Sequence, residues 1–339
     1  MHEPLFSVGE FRRIYDPSLG EAQPWYINDH TLARDRHGVW HLIGITHTQP
    51  DTPSLRKFFT AERSITPGEV TALNRELRES AAAAKRDGRR WFDAHDERRL
   101  AHATASSLTT PQWRKRPFAL VADATESVLW APHVITHGDR YYMYYAAGSE
   151  RGDGNFRMHL ATSADMNGWT RHGGNPLFID GYEARDPMVL RIGARWVMYY
   201  TATDPPTGGN HVVAYRTSTD LVTWGPRGLA FVDPAKGTGA GPTESPFVVH
   251  RGDWYYLFLS MRHDYIPGYY ADTEVFRSRD PLRFTIDDRV GRFDAHAAEV
   301  IRDVDGRWYV SHCGWYQGGV YLAPLTWHDG VADAADRFE

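Results

Sequence analysis

The chain has 339 residues and a formal net charge of -5, so it offers no basic surface of the kind that binds nucleic acid. Hydrophobic residues make up 42% and aromatic residues 13%, which is enough for a normal core and rich in ring surfaces. No apolar run is long enough to span a membrane, the chain does not begin with a signal-peptide segment, and a single cysteine excludes an internal disulfide, so we expect a cytoplasmic protein.

Five stretches of the chain share one pattern: a polar start, a short apolar strand, a glycine-bearing turn and an aromatic strand. Each predicts a β-hairpin. In chain order they are NDHTLARDRHGVWHLIGIT from Asn28, WAPHVITHGDRYYMYYAAG from Trp130, RDPMVLRIGARWVMYYTAT from Arg185, ESPFVVHRGDWYYLFLSM from Glu244 and AHAAEVIRDVDGRWYVSHCG from Ala295.

Four of the hairpins are followed by a serine with an aromatic residue six positions later, and three copies carry an aspartate two residues after the serine. This motif predicts an outer hairpin closed by a side-chain-capped turn. The copies are Ser107–Trp113, Ser163–Trp169, Ser218–Trp224 and Ser278–Phe284, with Asp165, Asp220 and Asp280. Five units of about four strands, the last three intervals being 52 to 58 residues, predict an all-β fold: one five-bladed β-propeller domain spanning residues 1–339.

The first interval is about twice the others, because 104 residues separate Asp29 from His133. Within it the pattern becomes helical, with Thr66 as N-cap and Pro67 at the first helical position. We therefore predict a helical insertion in blade one at about residues 50–98. Its charged run around Trp91 predicts a contact with a second copy of the chain or a position at the rim of the axial funnel. Packing on its own propeller is the alternative.

Three carboxylates, Asp29, Asp186 and Glu244, are predicted to stand at the start of innermost strands at one register. The innermost strands of a propeller line its axis, so these groups should converge there. Pro187 and Pro246 are expected to be tolerated because the strand ladder has barely begun. Three carboxylates in one small site repel one another, so at least one is expected to keep its proton. Cleavage of a glycosidic bond needs one protonated carboxyl group as the proton donor and one charged carboxylate. The alternative is that each one caps a turn.

At these motifs the chain resembles the five-bladed propeller glycosidases, namely the invertase and levansucrase families 32 and 68 and the arabinanase and β-xylosidase family 43. WYINDH resembles the invertase-type segment with the nucleophilic aspartate, which implies that Asp29 attacks the anomeric carbon or activates water. ARDP implies that Asp186 holds sugar hydroxyls, and ESP implies that Glu244 is the general acid. HAAEV resembles a fifth-blade segment whose axial histidine, here His296, sometimes lies near a bound calcium. Otherwise no cofactor is expected.

The resemblance predicts a glycoside hydrolase acting on a furanoside, of fructo- or arabinofuranoside type, or on a short oligosaccharide. A transglycosylase using the same site and a non-catalytic glycan-binding propeller are the alternatives. The invertase-like segments favour retention of anomeric configuration. Cys313 is predicted to be a small buried residue. Residues expected to bind substrate, with structural packing as the alternative for most, are Trp25, Asn28, His30, Trp130, His133, Arg185 and His296.

Overall fold

In a computed structural model of the chain, the described residues form five antiparallel β-sheets arranged as the blades of a propeller. This confirms the predicted all-β five-bladed architecture. The structure describes residues 4–48, 69, 72, 75, 76, 79, 82, 83, 86, 87, 96–110, 112–148, 156–207, 209–233, 243–262, 270–313 and 318–331.

Two short strands, β1 (Phe6–Val8) and β2 (Arg12–Tyr15), precede the first blade. Each of the first four blades then follows the chain from its innermost to its outermost strand. Blade one consists of β3 (Trp25–Arg34), β4 (Trp40–Thr48), β5 (Arg99–Ala105) and β6 (Arg114–Val121). Blade two consists of β7 (Leu129–His137), β8 (Arg140–Gly148), β9 (Phe156–Ser163) and β10 (Thr170–Arg171).

Blades three and four repeat the same order. Blade three consists of β11 (Ala184–Ile192), β12 (Arg195–Asp204), β13 (Asn210–Ser218) and β14 (Gly228–Phe231). Blade four consists of β15 (Thr243–Arg251), β16 (Trp254–Arg262), β17 (Tyr270–Ser278) and β18 (Arg289–Phe293), with a short 3-10 helix (Ile286–Asp288) before β18.

Blade five closes the ring with both ends of the chain. Its inner strands are β19 (Val300–Arg302), β20 (Trp308–His312) and β21 (Val320–Trp327), and both β1 and β2 pair with β21 in antiparallel register. Phe6 stands opposite Trp327, and Arg12 stands opposite Leu322. Pairing the two ends of the chain removes the free sheet edges that an open array would leave.

A buried apolar cluster fills each of the five seams between neighbouring blades. Ile43 and Met143 belong to the cluster between blades one and two, and Tyr144 and Tyr200 to the cluster between blades two and three. Corresponding clusters join three to four, four to five, and five to one. The middle strands are therefore buried on both faces, which explains why their sequences are almost continuously aromatic and aliphatic.

The serine and aspartate turns predicted from the sequence are present between the third and fourth strands. Ser163 Oγ accepts the backbone N–H of Met166 at 2.9 Å, and Asp165 Oδ1 accepts the N–H of Asn167 at 2.8 Å. Ser218 and Asp220 cap the equivalent turn of blade three in the same way. These side-chain acceptors satisfy backbone donors that the turn would otherwise leave unpaired.

The predicted helical insertion falls between β4 and β5 and lies almost wholly outside the described residues. Single described positions from Glu69 to Arg86 have helical backbone, but no α-helix is delimited in the described part of the chain. A helical element is therefore not supported here and stays a prediction, as does a subunit contact through it. Thr48, the last residue of β4, pairs with Trp25 at the start of β3, so the connection leaves from the face where the innermost strands begin. No helix among the described residues has the length and apolarity to cross a membrane.

Candidate functional site

A β-bulge lies at the same place in the innermost strand of blades one to four. In each blade, two unpaired residues lie between two paired residues of the innermost strand. The partners of those paired residues on the next strand are separated by only one residue. These flanking pairs are Ile27 and His30, Trp130 and His133, Arg185 and Met188, and Glu244 and Phe247. A bulge bends the strand and re-aims its side chains, which turns bulge residues toward the propeller axis.

The first bulge residue of blades two, three and four has left-handed backbone, and so does Ala297, which stands just before β19 in blade five. The residues are Ala131 (φ 47°), Asp186 (φ 54°), Ser245 (φ 51°) and Ala297 (φ 50°). Residues with a side chain rarely adopt this conformation, and it costs about 1–3 kcal/mol where it persists. The surrounding sheet must hold it in place, and such strain is typical of sites that position functional groups.

The prediction that the three carboxylates occupy the same position in their strands is wrong. They occupy three successive strand positions at the bulge. Glu244 flanks the bulge, Asp186 is its first residue, and Asp29 is its second. Pro187 and Pro246 follow only two paired positions of their strands, which agrees with the prediction that the ladder has barely begun there. Both lie within strands, at the second bulge position, where the ladder is interrupted and a proline costs no hydrogen bond.

The three carboxylates nevertheless converge on the axis around His296. The Nε2 atom of His296 lies 3.0 Å from Glu244 Oε1 and 3.8 Å from Asp29 Oδ1. Ser245 links Asp29 and Asp186, because its Oγ donates to Asp29 Oδ1 at 3.2 Å and its backbone N–H donates to Asp186 Oδ2 at 3.1 Å. Residues of blades one, three, four and five thus meet at one point.

Arg185 is the cation that holds this group of acids together. Its Nη1 atom donates to Asp186 Oδ2 at 2.5 Å and to Glu244 Oε2 at 2.9 Å, and its Nε donates to Glu183 Oε2 at 2.6 Å. All of these side chains are buried. Charge-assisted bonds of this kind are strong in a buried site and fix the orientation of both partners. Arg185 therefore positions Glu244 as well as Asp186.

The electrostatic environment gives the three carboxylates different pKa values. Burial, followed by the charge of Asp186, raises the pKa of Asp29 to about 7, against the opposing charges of His296 and Arg185. Burial also raises the pKa of Asp186, although Arg185 opposes it. Burial alone would raise the pKa of Glu244, but Arg185 and His296 outweigh it and hold that pKa below its usual value. Asp29, with a pKa of about 7, is therefore partly protonated at neutral pH, whereas Glu244 is ionised.

The residue directly after the bulge in blades one to four, and Glu299 in blade five, are among the residues that line a small cavity on the axis. Three of the five are polar and two are apolar. In blade order they are His30, His133, Met188, Phe247 and Glu299. Polar and apolar linings on opposite sides suit a sugar ring, which has hydroxyl groups at its rim and C–H groups on its faces.

Sequence reasoning missed two acidic residues of this site, Glu299 and Glu183. Glu299 accepts the backbone N–H of Leu32 at 3.0 Å and lies 3.4 Å from His133 Nδ1, so it joins blades five, one and two. Glu183 contacts Arg185, and the charges of Arg185 and His211 lower its pKa to about 2 although burial acts to raise it. The signal for Glu299 was its place in AHAAEV, at the repeat position of His133.

The seven predicted substrate-binding residues fall into three groups. Arg185 and His296 contact the carboxylates, while His30 and His133 line the axial cavity. The remaining three do not line this cavity. Asn28 is a bulge residue whose Oδ1 lies 3.5 Å from Cys313 Sγ, Trp130 stacks on Phe156 with centroids 4.4 Å apart, and Trp25 lies beside Phe118 and Lys115. Cys313 is buried, as predicted.

The donors around His296 do not fit the calcium ion that the family resemblance implies. Calcium takes six to eight oxygen ligands. The potential ligand atoms beside His296 are Glu244 Oε1, at 3.0 Å from Nε2, and one oxygen of Asp29 and the sulfur of Cys313, which lie with a ring nitrogen of His296 within 4.8 Å of one another. An imidazole and a thiol are ligands for borderline or soft ions rather than for calcium.

Comparison with known proteins relates the chain to enzymes that act on glycans. Residues 80–330 match the family described as Glycosyl hydrolases family 43. The probable arabinan endo-1,5-alpha-L-arabinosidase C of Aspergillus flavus is 28% identical over 206 residues, which are 57% of this chain and 62% of that protein. The arabinan endo-1,5-alpha-L-arabinosidase A of Aspergillus niger is 30% identical over 138 residues, which are 39% of this chain and 40% of that protein. The chain thus spans less than two thirds of the length of these relatives.

Solved structures that share the fold include members of two families. A family GH43 enzyme from Xanthomonas citri, in complex with xylotriose, has a TM-score of 0.61 at 13% identity, covering 96% of this chain and 92% of that one. A family GH32 beta-fructofuranosidase from Bombyx mori, in complex with sucrose, has a TM-score of 0.61 at 16% identity, covering 92% of this chain and 61% of that one. At such identities the likeness is one of fold.

Proposed function

The chain belongs to glycosyl hydrolase family 43, and from that premise we propose that it hydrolyses glycosidic bonds of arabinofuranoside type at the axial site formed by Asp29, Asp186 and Glu244. The convergence of Glu244 and Asp29 on His296 Nε2, at 3.0 Å and 3.8 Å, is the observation that carries this proposal. Hydrolysis of a glycosidic bond requires two carboxyl groups that flank one position with different proton affinities.

We assign Asp29 the role of the group that acts on the anomeric side. Its pKa of about 7 lies close to neutral pH, and a general base is most effective when its pKa is near the pH at which it works. This property favours activation of a water molecule over direct attack, because a nucleophilic carboxylate needs to be ionised throughout. Asp186 supports Asp29 through Ser245 and accepts hydrogen bonds from sugar hydroxyl groups.

Glu244 is assigned the role of general acid. In the free site it is ionised, held by Arg185 and by His296. His296 has a raised pKa, because the hydrogen bond and the charge of Glu244 outweigh its burial, so a proton lies next to Glu244. When the leaving oxygen approaches Glu244, the proton of His296 can pass to the carboxylate and from there to the oxygen.

The substrate is proposed from the curated relatives. The curated relatives are arabinan endo-1,5-alpha-L-arabinosidases, so 1,5-linked α-L-arabinofuranosides or short oligosaccharides derived from them are the first substrates to test. We place one sugar residue at the reacting position beside Asp29 and Asp186, which line the axial cavity, with the rest of a chain extending toward the face where β3 begins.

A screen of nitrophenyl furanosides and pyranosides, together with 1,5-linked arabino-oligosaccharides, tests the proposal. We expect arabinofuranosides to be cleaved, and Asp29→Asn and Glu244→Gln each to remove most of that activity. Asp287→Asn, which changes an exposed carboxylate of the 3-10 helix, is the matched control and should retain full activity. Binding of arabino-oligosaccharides without cleavage would instead indicate a glycan-binding propeller. Formation of products longer than the substrate would indicate transglycosylation. Cytoplasmic location stays a prediction.

A further inference from the structure

Three potential metal ligands of different chemistry meet at the axis from two blades. A carboxylate oxygen of Asp29, a ring nitrogen of His296 and the sulfur of Cys313 all lie within 4.8 Å of one another. Asp29 belongs to β3 of blade one, whereas His296 and Cys313 flank the two inner strands of blade five. The closure of the propeller, which joins the two ends of the chain, therefore assembles this cluster.

The three donors match the preferences of a zinc-like ion. Zn²⁺ binds thiolate sulfur, imidazole nitrogen and carboxylate oxygen at about 2.0–2.3 Å, so its ligand atoms lie roughly 3.3–3.8 Å apart in a tetrahedron. Side-chain rotations that move the ligand atoms by about an ångström would bring the three atoms to that spacing. Three protein ligands would leave a fourth coordination position for a water molecule.

The thiol of Cys313 is what distinguishes this cluster from a hard-cation site. Its sulfur lies 3.4 Å from the carbonyl oxygen of His296 and 3.5 Å from Asn28 Oδ1, either of which can accept the single S–H hydrogen. These are weak hydrogen bonds that a serine hydroxyl can also donate. Cys313 is the single cysteine of the chain, so any thiol ligation must come from this residue.

We propose that Asp29, His296 and Cys313 form a binding site for Zn²⁺ or a similar borderline divalent ion, and that occupancy of the site inhibits the enzyme reversibly. The ion would bind the carboxylate of Asp29, the neutral ring of His296 and the thiolate of Cys313, so the protons of the His296 ring and of the Cys313 thiol would be released to solvent on binding. The inhibitory part rests on the proposed function, since it requires Asp29 to act in catalysis. Ion binding itself is independent of that function.

Cobalt substitution tests binding without any activity measurement. Co²⁺ bound through a thiolate gives a sulfur-to-metal charge-transfer absorption in the near ultraviolet, together with the visible bands of a tetrahedral ion. Titration of the full chain with Co²⁺ should give these bands at one equivalent, and Zn²⁺ should displace them. Cys313→Ser should lose the charge-transfer band, and its affinity for Zn²⁺ should fall at least about 10-fold. A spectrum without a thiolate band in the unmodified protein would overturn the proposal.

Inhibition is then measured with the best arabinofuranoside substrate. We expect Zn²⁺ to inhibit the unmodified protein and a chelator to restore its activity, whereas Ca²⁺ at the same concentration should have no effect. Cys313→Ser should remain active and become at least about 10-fold less sensitive to Zn²⁺. His37→Ala, which removes an exposed histidine from the turn between β3 and β4, is the control and should remain fully sensitive. Equal sensitivity of Cys313→Ser and the unmodified protein would refute the site.

The two proposals can fail separately. If no glycoside is cleaved but Co²⁺ still gives the thiolate band, the metal site stands and the proposed function does not. If arabinofuranosides are cleaved and Co²⁺ gives no thiolate band, the opposite conclusion follows.

Discussion

The Nε2 atom of His296 lies 3.0 Å from Oε1 of Glu244, so the general acid proposed for this site is paired in the free protein with an imidazole of raised pKa. Arg185 contacts the second oxygen of the same carboxylate at 2.9 Å. Two cationic partners keep Glu244 ionised until a substrate oxygen arrives. Proton transfer from His296 would then generate the acid, which makes the pair, rather than Glu244 alone, the proton-donating unit.

Replacement of Glu244 by glutamine should affect substrates according to their leaving groups. Protonation contributes most when the departing oxygen is basic, so we expect kcat for arabino-oligosaccharides to fall about 10²–10⁴-fold. Nitrophenyl arabinofuranosides, whose leaving group needs little protonation, should lose much less. Steady-state kinetics of Glu244→Gln on both substrate types measures the difference. An equal loss on both would mean that Glu244 is not the acid, and the Asp287→Asn control should be unaffected on either.

Replacement of Asp186 by asparagine should move the acidic limb of the pH–rate profile to lower pH. The charge of Asp186 is the largest charge that raises the pKa of Asp29 toward 7, and removing it should allow Asp29 to ionise at a lower pH. Measurement of kcat/KM from pH 4 to pH 9 for both proteins tests this effect. The overall rate should also fall, because Asp186 binds substrate in our proposal. A limb at an unchanged pH would show that Asp29 does not set it.

The anomer first released tells whether Asp29 activates water or attacks the sugar. Invertase-like segments of the sequence favoured retention, but a pKa of about 7 is better suited to a general base than to a nucleophile, so we expect inversion. Proton NMR of the product within the first minutes of hydrolysis, before mutarotation, identifies the anomer. Release of the retained anomer would assign Asp29 as the nucleophile.

The repeat pattern predicted the propeller because each blade carries the same hairpin and capped turn, which are local features. Convergence of Asp29, Asp186 and Glu244 on the axis followed from that architecture. Their positions within the strand did not, because a bulge changes the register by one residue and leaves no mark in a hydrophobic pattern. Glu299 was missed for a different reason. Its role depends on contacts with Leu32 and His133 of other blades, and a sequence does not display contacts between distant segments.

The raised pKa of Asp29 should make the active site a source of instability at neutral and alkaline pH. In the unfolded chain Asp29 ionises near pH 4, whereas in the folded protein its pKa is about 7, so the folded state favours the protonated form. The associated stability is complete below about pH 4 and is lost as pH rises through 7. Asp29→Asn removes the carboxylate that becomes costly to ionise. We therefore expect the variant to be more stable than the unmodified protein at pH 8, by at most about 4 kcal/mol, which corresponds to three pKa units at about 1.36 kcal/mol each.

Urea unfolding of both proteins at pH 5 and pH 8 measures this difference. The gain from Asp29→Asn should be larger at pH 8 than at pH 5, because only at the higher pH is the carboxylate ionised in the folded state. Asp287→Asn removes an exposed carboxylate and should show no such dependence on pH. If Asp29→Asn has the same effect on the free energy of unfolding at both pH values, Asp29 ionises normally in the folded protein, and the assignment of Asp29 as a base tuned to neutral pH would have to be abandoned.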